Sequence, residues 1–316
     1  MKKRIFYFCV LMLIGMAAML LCSCGAQSES SYDEYIEYTD ALGREVRVGK
    51  NPVRVAALLG SFADIWMLSG GELCATAEDA WEDFGLELDA VNIGGAHSPS
   101  LELLVSSSPE LVLASASTAS NIDIGEAMSE MGVTVVYFDV DCFDDYLTML
   151  DFCTSLTGRR DLYEANGLSV KREIENIKNE LAESGLGEEK MRILLLRASA
   201  SSIKAKGSTG TVIGEMLSDL GCVNIADSDR LLLDTLSVEA VIRNEPYRIF
   251  AVTMGADTAG ALSALNKMLS DNPAWGTLEA VREGRVHIME KRLFNLKPNA
   301  RWGEAYSKLY EALIGE

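Results

Sequence analysis

Apolar residues along this chain follow two rhythms that alternate over most of its length. One is the short apolar run bounded by turn residues: Val53 to Leu59, Leu111 to Ala114, Val133 to Val140, Met191 to Leu196, Arg248 to Thr253 and Arg285 to Met289. Such runs predict strands. The other is a helical stripe, seen in Phe62 to Leu68 behind the Gly60-Ser61 turn, Ile122 to Met131, Val212 to Leu220 ahead of Gly221, Thr258 to Leu269 and Arg301 to Ile314. Strand followed by helix, repeated, predicts parallel sheets with helices on both faces. Tyr38 to Val48 departs from this rhythm and reads as a hairpin turning at Leu42-Gly43.

One stripe is longer than the rest. Gly158 to Gly187 contains no proline, and Val170, Ile174, Ile177 and Leu181 recur at steps of four, three and four, on one helical face. A helix from Arg159 to Glu183, stopped by Gly185 and Gly187, would run about 37 Å at about 1.5 Å per residue. By its pattern it is either an ordinary surface helix or a connector, and its flanks favour the connector. Ser100-Leu-Glu102 is followed seven residues after the glutamate by Pro109 and then Leu111 to Leu113; Ser237-Val-Glu239 is followed at the same distance by Pro246 and then Arg248 to Phe250. In each phrase the serine is a candidate N-cap, a short helix reaches the proline, and a strand follows. The expected fold is therefore α/β, with two lobes of mainly parallel sheet, residues 38–157 and 188–316, joined by a single long connector helix over 158–187.

The N-terminus belongs to neither lobe. Met1-Lys-Lys-Arg4 is basic, Ile5 to Leu21 is apolar, and Leu21-Cys-Ser-Cys24 matches a lipobox. This grammar predicts a lipoprotein signal peptide over 1–23, a diacylglycerol on the Cys24 thiol, and a tether over 24–37. An uncleaved membrane anchor is the alternative. Both place the lobes outside the cytoplasm, attached to the cell membrane. Of the seven cysteines, Cys74, Cys142, Cys153 and Cys222 fall within the lobes without metal or redox spacing and read as buried free thiols.

Composition changes the picture in one respect. A length of 316 residues with 48% hydrophobic content suits two domains with cores of their own, and the formal net charge of −19 argues against nucleic acid or anionic lipid as a general partner. The charge is unevenly placed. Val55 to Gly158 holds 18 Asp and Glu and no Lys or Arg, whereas Lys190 to Glu316 holds 16 bases and 15 acids. An anionic ligand would have to find its counter-charges in the second lobe.

Several segments, in order, resemble the substrate-binding proteins of ABC importers for ferric siderophores, haem and cobalamin. They are the lipobox, the Gly94-Gly95 loop leading into Pro99-Ser-Leu-Glu102 and Ser108-Pro-Glu-Leu-Val112, the long helix, Leu220-Gly-Cys-Val-Asn224, and Asn272-Pro-Ala-Trp-Gly-Thr-Leu-Glu-Ala-Val-Arg-Glu-Gly-Arg-Val286. The resemblance covers about residues 38–316. It implies a class III periplasmic-binding-protein-like fold with a ligand cleft between the lobes and small closure motions. It further implies no enzymatic activity, no cofactor, a small-molecule metal chelate as ligand, and an ABC permease with its ATPase as partner. Glu102 and Glu239 match the glutamates with which members dock on permease arginines; their other reading is to complete a capping box or complement the helix dipole. Ligand loops vary within the family, so ferric siderophore leads while cobalamin and haem stay open. An exported α/β enzyme acting on a metal chelate and a surface adhesion or sensing module are the readings from other classes. The chain has no Gly-x-Ser-x-Gly, no phosphate loop and no recognisable pairing of histidine with a nucleophile.

In parallel α/β lobes ligands gather at the carboxyl ends of strands. That rule selects Ser61, Phe62, Trp81, Gly95, His97 and Ser117 in the first lobe, and Arg197, Lys204, Thr209, Phe294, Lys297 and Arg301 in the second. Trp81 lies in an acidic loop, where it would either cover a flat chelate or pin its own loop. The bases, with Lys206 and Arg292 beside them, suit carboxylate or catecholate oxygens, arginine through its two-pronged fork. Arg301, next to Trp302, has bracing of the last helix as its alternative. His97 and His287 are the only histidines. The first is placed to face the cleft and the second reads as structural, too few imidazoles for capture of bare zinc or manganese.

Overall fold

The computed structural model describes residues 34–315. The expected signal peptide and the lipidated Cys24 lie outside them. The chain then opens with an antiparallel hairpin, β1 (Tyr35–Thr39) and β2 (Glu45–Gly49). The expected tether therefore overlaps a strand at residues 35–37. Ile36 and Tyr38 alternate inward onto the first-lobe core, Tyr38 with its ring centroid 4.7 Å from that of Phe152, and this burial orders the segment. The hairpin turns around Asp40, whose carboxylate accepts the Leu42 and Arg44 N–H groups at 3.1 and 3.0 Å and the Arg44 guanidinium at 2.9 and 2.6 Å. Burial pushes the Asp40 carboxyl up, but the bonds from Arg44 outweigh it and hold the group below the usual carboxylate range.

The first lobe runs β3 (Val55–Ala57), α1 (Gly60–Leu68), β4 (Leu73–Thr76), α2 (Asp79–Glu82), β5 (Val91–Asn92), α3 (Leu101–Ser106), β6 (Leu111–Ser115), α4 (Ala119–Glu130), β7 (Thr134–Phe138) and α5 (Phe143–Thr157). Its five strands are parallel in the order β5-β4-β3-β6-β7. Ser100 caps α3 as its position suggests, its hydroxyl accepting the Leu103 N–H at 3.3 Å. Gly158, in the left-handed region at φ 71°, ends α5.

The long segment follows at once as α6 (Arg160–Tyr163), one π-helical turn (Glu164–Leu168) and α7 (Ser169–Glu183). All four residues of the stripe, Val170, Ile174, Ile177 and Leu181, are buried. The π turn is fastened to the first lobe: the Tyr146 hydroxyl donates to the Asn166 carbonyl at 2.8 Å, and the Asn166 amide donates to the Leu68 carbonyl at 2.8 Å. A spacing argument sees only the helical period; the extra residue in the turn comes from these tertiary bonds.

The second lobe runs β8 (Arg192–Ala198), β9 (Ile203–Lys206), α8 (Val212–Asp219), β10 (Val223–Asn224), α9 (Arg230–Thr235), α10 (Val238–Asn244), β11 (Arg248–Thr253), α11 (Thr258–Asp271), α12 (Glu279–Arg282), β12 (Val286–Met289), α13 (Lys291–Phe294) and α14 (Trp302–Ile314). Parallel strands lie in the order β10-β8-β11-β12, and β9 adds an antiparallel edge against β8. Ser237 caps α10 by accepting the Ala240 N–H at 3.3 Å, repeating the Ser100 arrangement. One apolar cluster extends from β3, α1 and α5 through α7 into β8, α8 and α14, so the connector is core to both lobes; two smaller clusters fill the other faces of the sheets. Buried Arg248 on β11 donates to the carbonyls of Lys190, Leu313 and Gly315. Its charge thereby meets the negative end of the α14 dipole. The four lobe cysteines are free, Cys153 and Cys222 buried and Cys74 and Cys142 half-buried.

Candidate functional site

The two sheets meet at their carboxyl ends. Behind β3, the Ser61 carbonyl accepts the Asn299 amide at 2.9 Å and the Asp64 carboxylate accepts the same amide at 2.7 Å. Arg292 lies 3.3 Å from Asp64 and places its guanidinium 4.0 Å above the Phe84 ring. Lys291 pairs with Asp83 at 2.6 Å. Each bond joins a segment beyond β3 or β4 to the segment beyond β12, and together they form a seam along which the lobes face each other. Asn299 is fully buried in the left-handed conformation at φ 57°, a backbone state that asparagine tolerates better than most residues. Along the seam is a cavity of about 450 Å³, lined among others by Asp83, Thr253, Thr258, Met289 and Lys291, within the size range of small-ligand sites.

On the first-lobe side the ligand loops are tied to one another. Both Asp79 carboxylate oxygens accept the Gly60 N–H at 3.0 Å. Gly60 must be glycine, because a Cβ there would stand 2.5 Å from the Ala80 nitrogen. The Glu78 N–H donates to the Gly94 carbonyl at 2.9 Å, and the Ala96 carbonyl accepts Ser120 and Asn121, both at 3.2 Å. The loops carrying Ser61, Trp81, Gly95 with His97, and Ser117 thus form one connected rim. His97 and Ser117 are exposed and Trp81 is half-buried, its buried part packed on the core. Burial raises the Asp79 carboxyl above its ordinary range, the Gly60 bond working against it.

On the second-lobe side three cations share one face of the sheet edge. Arg197 on β8 lies opposite Lys204 on β9 in the strand register, and Lys206 follows two residues on. Among the described residues no acid lies within ion-pairing distance of any of them, and the Arg197 Nε is buried without a hydrogen-bond partner. Burial pulls the Arg197 guanidinium below its ordinary value; Lys206 is pulled down by burial and by the charges of Arg197 and Lys204. Like charges gathered with no acid to offset them cost free energy that an anionic ligand would recover. Exposed Thr209, Ser201 and Ser202 add hydroxyls nearby in sequence.

The structure corrects two of the expected ligand contacts, Phe62 and Phe294, and gives Arg301 and Lys297 acidic neighbours within the protein. Phe62 is 0% exposed, set edge-on against Phe138 at 6.2 Å, and Phe294 is 1% exposed; the inward faces of α1 and α13 claim both rings for the core. Arg301 is held by Glu304 at 2.7 and 3.0 Å, one turn along its own helix, which is the bracing alternative. Lys297 is half-buried opposite Asp141, Asp139 and Asp145 of the first lobe, whose charges support an ammonium that burial depresses. Arg292, grouped with the cleft bases by position, is a seam residue. Asp64 and Asn299 were not anticipated at all. An acid between Ala63 and Ile65 on an apolar helix is the one sequence signal that could have marked the first.

Comparison with known proteins places the chain among binding proteins. A family model described as periplasmic binding protein matches residues 55–293. The Fe(3+)-citrate-binding protein YfmC of Bacillus subtilis (strain 168) is 22% identical over 293 residues, spanning 89% of each chain. An ABC transporter substrate-binding protein from Listeria monocytogenes EGD-e superposes with a TM-score of 0.69 at 17% identity, covering 84% of this chain and 100% of that one. Staphylococcus aureus SirA complexed with staphyloferrin B gives 0.69 at 18% identity, covering 88% and 98%.

Proposed function

The chain belongs to the periplasmic binding protein family, and on that premise we propose that it captures an anionic ferric chelate outside the cytoplasm and delivers it to an ABC importer. The observation that carries the ligand's charge is the Arg197, Lys204 and Lys206 group, which lacks acid partners among the described residues. In this reading Trp81 and the hydroxyls around Ser117 supply the opposite wall. Carboxylate or catecholate oxygens at the edge of a ferric complex would accept from the Arg197 fork, and a flat chelate face would lie on Trp81. The Bacillus subtilis relative named for ferric citrate supports this ligand class.

The test is a thermal-shift panel of ferric citrate, a ferric catecholate, haem and cobalamin against the soluble lobes. At a hundredfold excess over Kd a ligand contributes about 2.7 kcal/mol. A ferric complex is therefore expected to raise the melting temperature by about 5 °C or more. A rise with cobalamin alone would overturn the reading.

Glu102 and Glu239 belong to the same reading as permease-docking acids. Both are exposed on the first turns of α3 and α10, and the serines already cap those helices. Glu239 accepts the Ser237 hydroxyl at 2.9 Å, and its own backbone N–H and this hydroxyl hold its carboxyl below the usual range. Replacing both glutamates by alanine should leave ligand affinity unchanged and lower permease ATPase stimulation at least about tenfold, with the deficit shrinking as salt rises. Full stimulation by the double variant would leave only a local helix-dipole role. Lipid attachment at Cys24 would hold the protein at the membrane, and the mass of the mature N-terminus tests it.

A further inference from the structure

The surface of the second lobe next to Glu239 is unusually apolar. Leu231 and Leu233 on α9 are 53% and 39% exposed. Beside them an open groove of about 520 Å³ has Leu236, Val238, Ala264, Met268 and Trp275 as its apolar lining, with Lys267 and Asp271 among its polar members. Val238 in this lining immediately precedes Glu239, so an ionised carboxylate stands at the margin of the groove. The first lobe repeats the pairing in simpler form, with exposed Leu103 and Val105 beside Glu102. Contiguous exposed apolar surface next to a fixed charge is the composition of a protein–protein contact, with an apolar anchor and a charged partner beside it.

We propose that the groove between α10 and α11 receives a large apolar side chain of the permease, presented next to the basic side chain that meets Glu239. This rests on the reading of Glu239 as a docking acid and extends it. The occupant follows from charge: a segment with one base and a neighbouring large apolar residue satisfies the carboxylate and fills the groove together. The base steers the encounter over long range, and the apolar anchor acts only on contact, where burial slows dissociation. The second lobe then contributes an insertion as well as an ion pair, which orients the binding protein on a permease whose two halves would otherwise be met by similar acids.

The experiment measures the concentration of protein, incubated with ferric citrate, that half-maximally stimulates its permease in proteoliposomes. Met268→Glu places a charge in the groove, and Ala264→Phe fills it; both positions are partly exposed, so at least one variant should fold normally. Each is expected to raise that concentration at least about tenfold, with ferric citrate affinity and melting temperature unchanged, and the deficit should persist at high salt, unlike that of the glutamate variants. Normal stimulation by both groove variants, with Glu239→Ala impaired, would overturn the groove and leave the docking acids standing. Normal stimulation by all three would remove the docking reading as well. A wild-type dimer, or wild-type binding to anionic vesicles, that Met268→Glu abolishes would assign the groove to a second copy or to lipid and overturn the proposal.

Discussion

Replacing Arg197 by methionine should weaken capture of a ferric carboxylate chelate at least about thirtyfold, about 2 kcal/mol, while leaving the unliganded protein as stable as before or more so. The two effects separate because Arg197 is half-buried with its Nε orphaned and two lysines on the same face. A buried donor without a partner costs about 1–3 kcal/mol. Methionine keeps the unbranched stem without the charge, and in a body of this size each kcal/mol recovered raises the melting temperature by about 2–4 °C. Arg197→Lys should fall between, since it keeps the charge but not the fork. Titration calorimetry and thermal melting of the three proteins read both quantities. Unchanged affinity, or a melting temperature several degrees lower, would make Arg197 a structural residue and move the site elsewhere.

Asp64→Ala should cost about 3 kcal/mol, because it leaves the Arg292 guanidinium largely buried without its counter-charge and deprives Asn299 of an acceptor. Calorimetry should then resolve two unfolding transitions in place of one, since the seam that couples the lobes has lost its centre. Ligand affinity should fall too, as the Ser61 and Trp81 loops are placed relative to the second lobe through the same bonds. The pH dependence carries a further signature. Burial raises the Asp64 carboxyl above its ordinary value, against the bonds from Asn299 and Arg292, so the folded state holds that proton more tightly than the unfolded one. Its contribution to stability is whole below the ordinary carboxylate pKa and is lost as pH rises through the raised value. Denaturant titrations across that window should show a steeper decline in the wild type than in Asp64→Ala, where Asp79, also raised by burial, still contributes. A single transition of unchanged midpoint would mean that the connector alone couples the lobes.

Seam and site differ in how far they could be read from the chain. Ser100 and Ser237 announced their helices because a cap is a contact with residues three positions away, and the stripe of α7 announced its buried face because helical geometry repeats over a few residues. α5 went unread although its signals are local: Phe143, Tyr146, Leu147, Leu150 and Cys153 recur at helical spacing, Asp145 accepts the Cys142 N–H at 3.0 Å in its first turn, and Gly158 ends it. Arg292 and Asn299, by contrast, were illegible. Their partners lie 228 and 235 residues away, and nothing in the local sequence of either end refers to the other.

From sequence alone came the alternation of strand and helix, the doubled lobe, the long helix between the lobes, and the concentration of positive charge in the second. These are periods, caps and counts, quantities carried by neighbours along the chain. Tertiary structure decided which cations are free. Arg197, Arg292, Lys297 and Arg301 all sit at carboxyl ends of second-lobe strands or just beyond them. One finds Asp64 across the seam, one faces three aspartates, one folds onto Glu304, and Arg197 has no acid partner among the described residues. Coulomb energy and desolvation depend on distance through space and on burial, and the chain sets neither until both lobes have packed against α7.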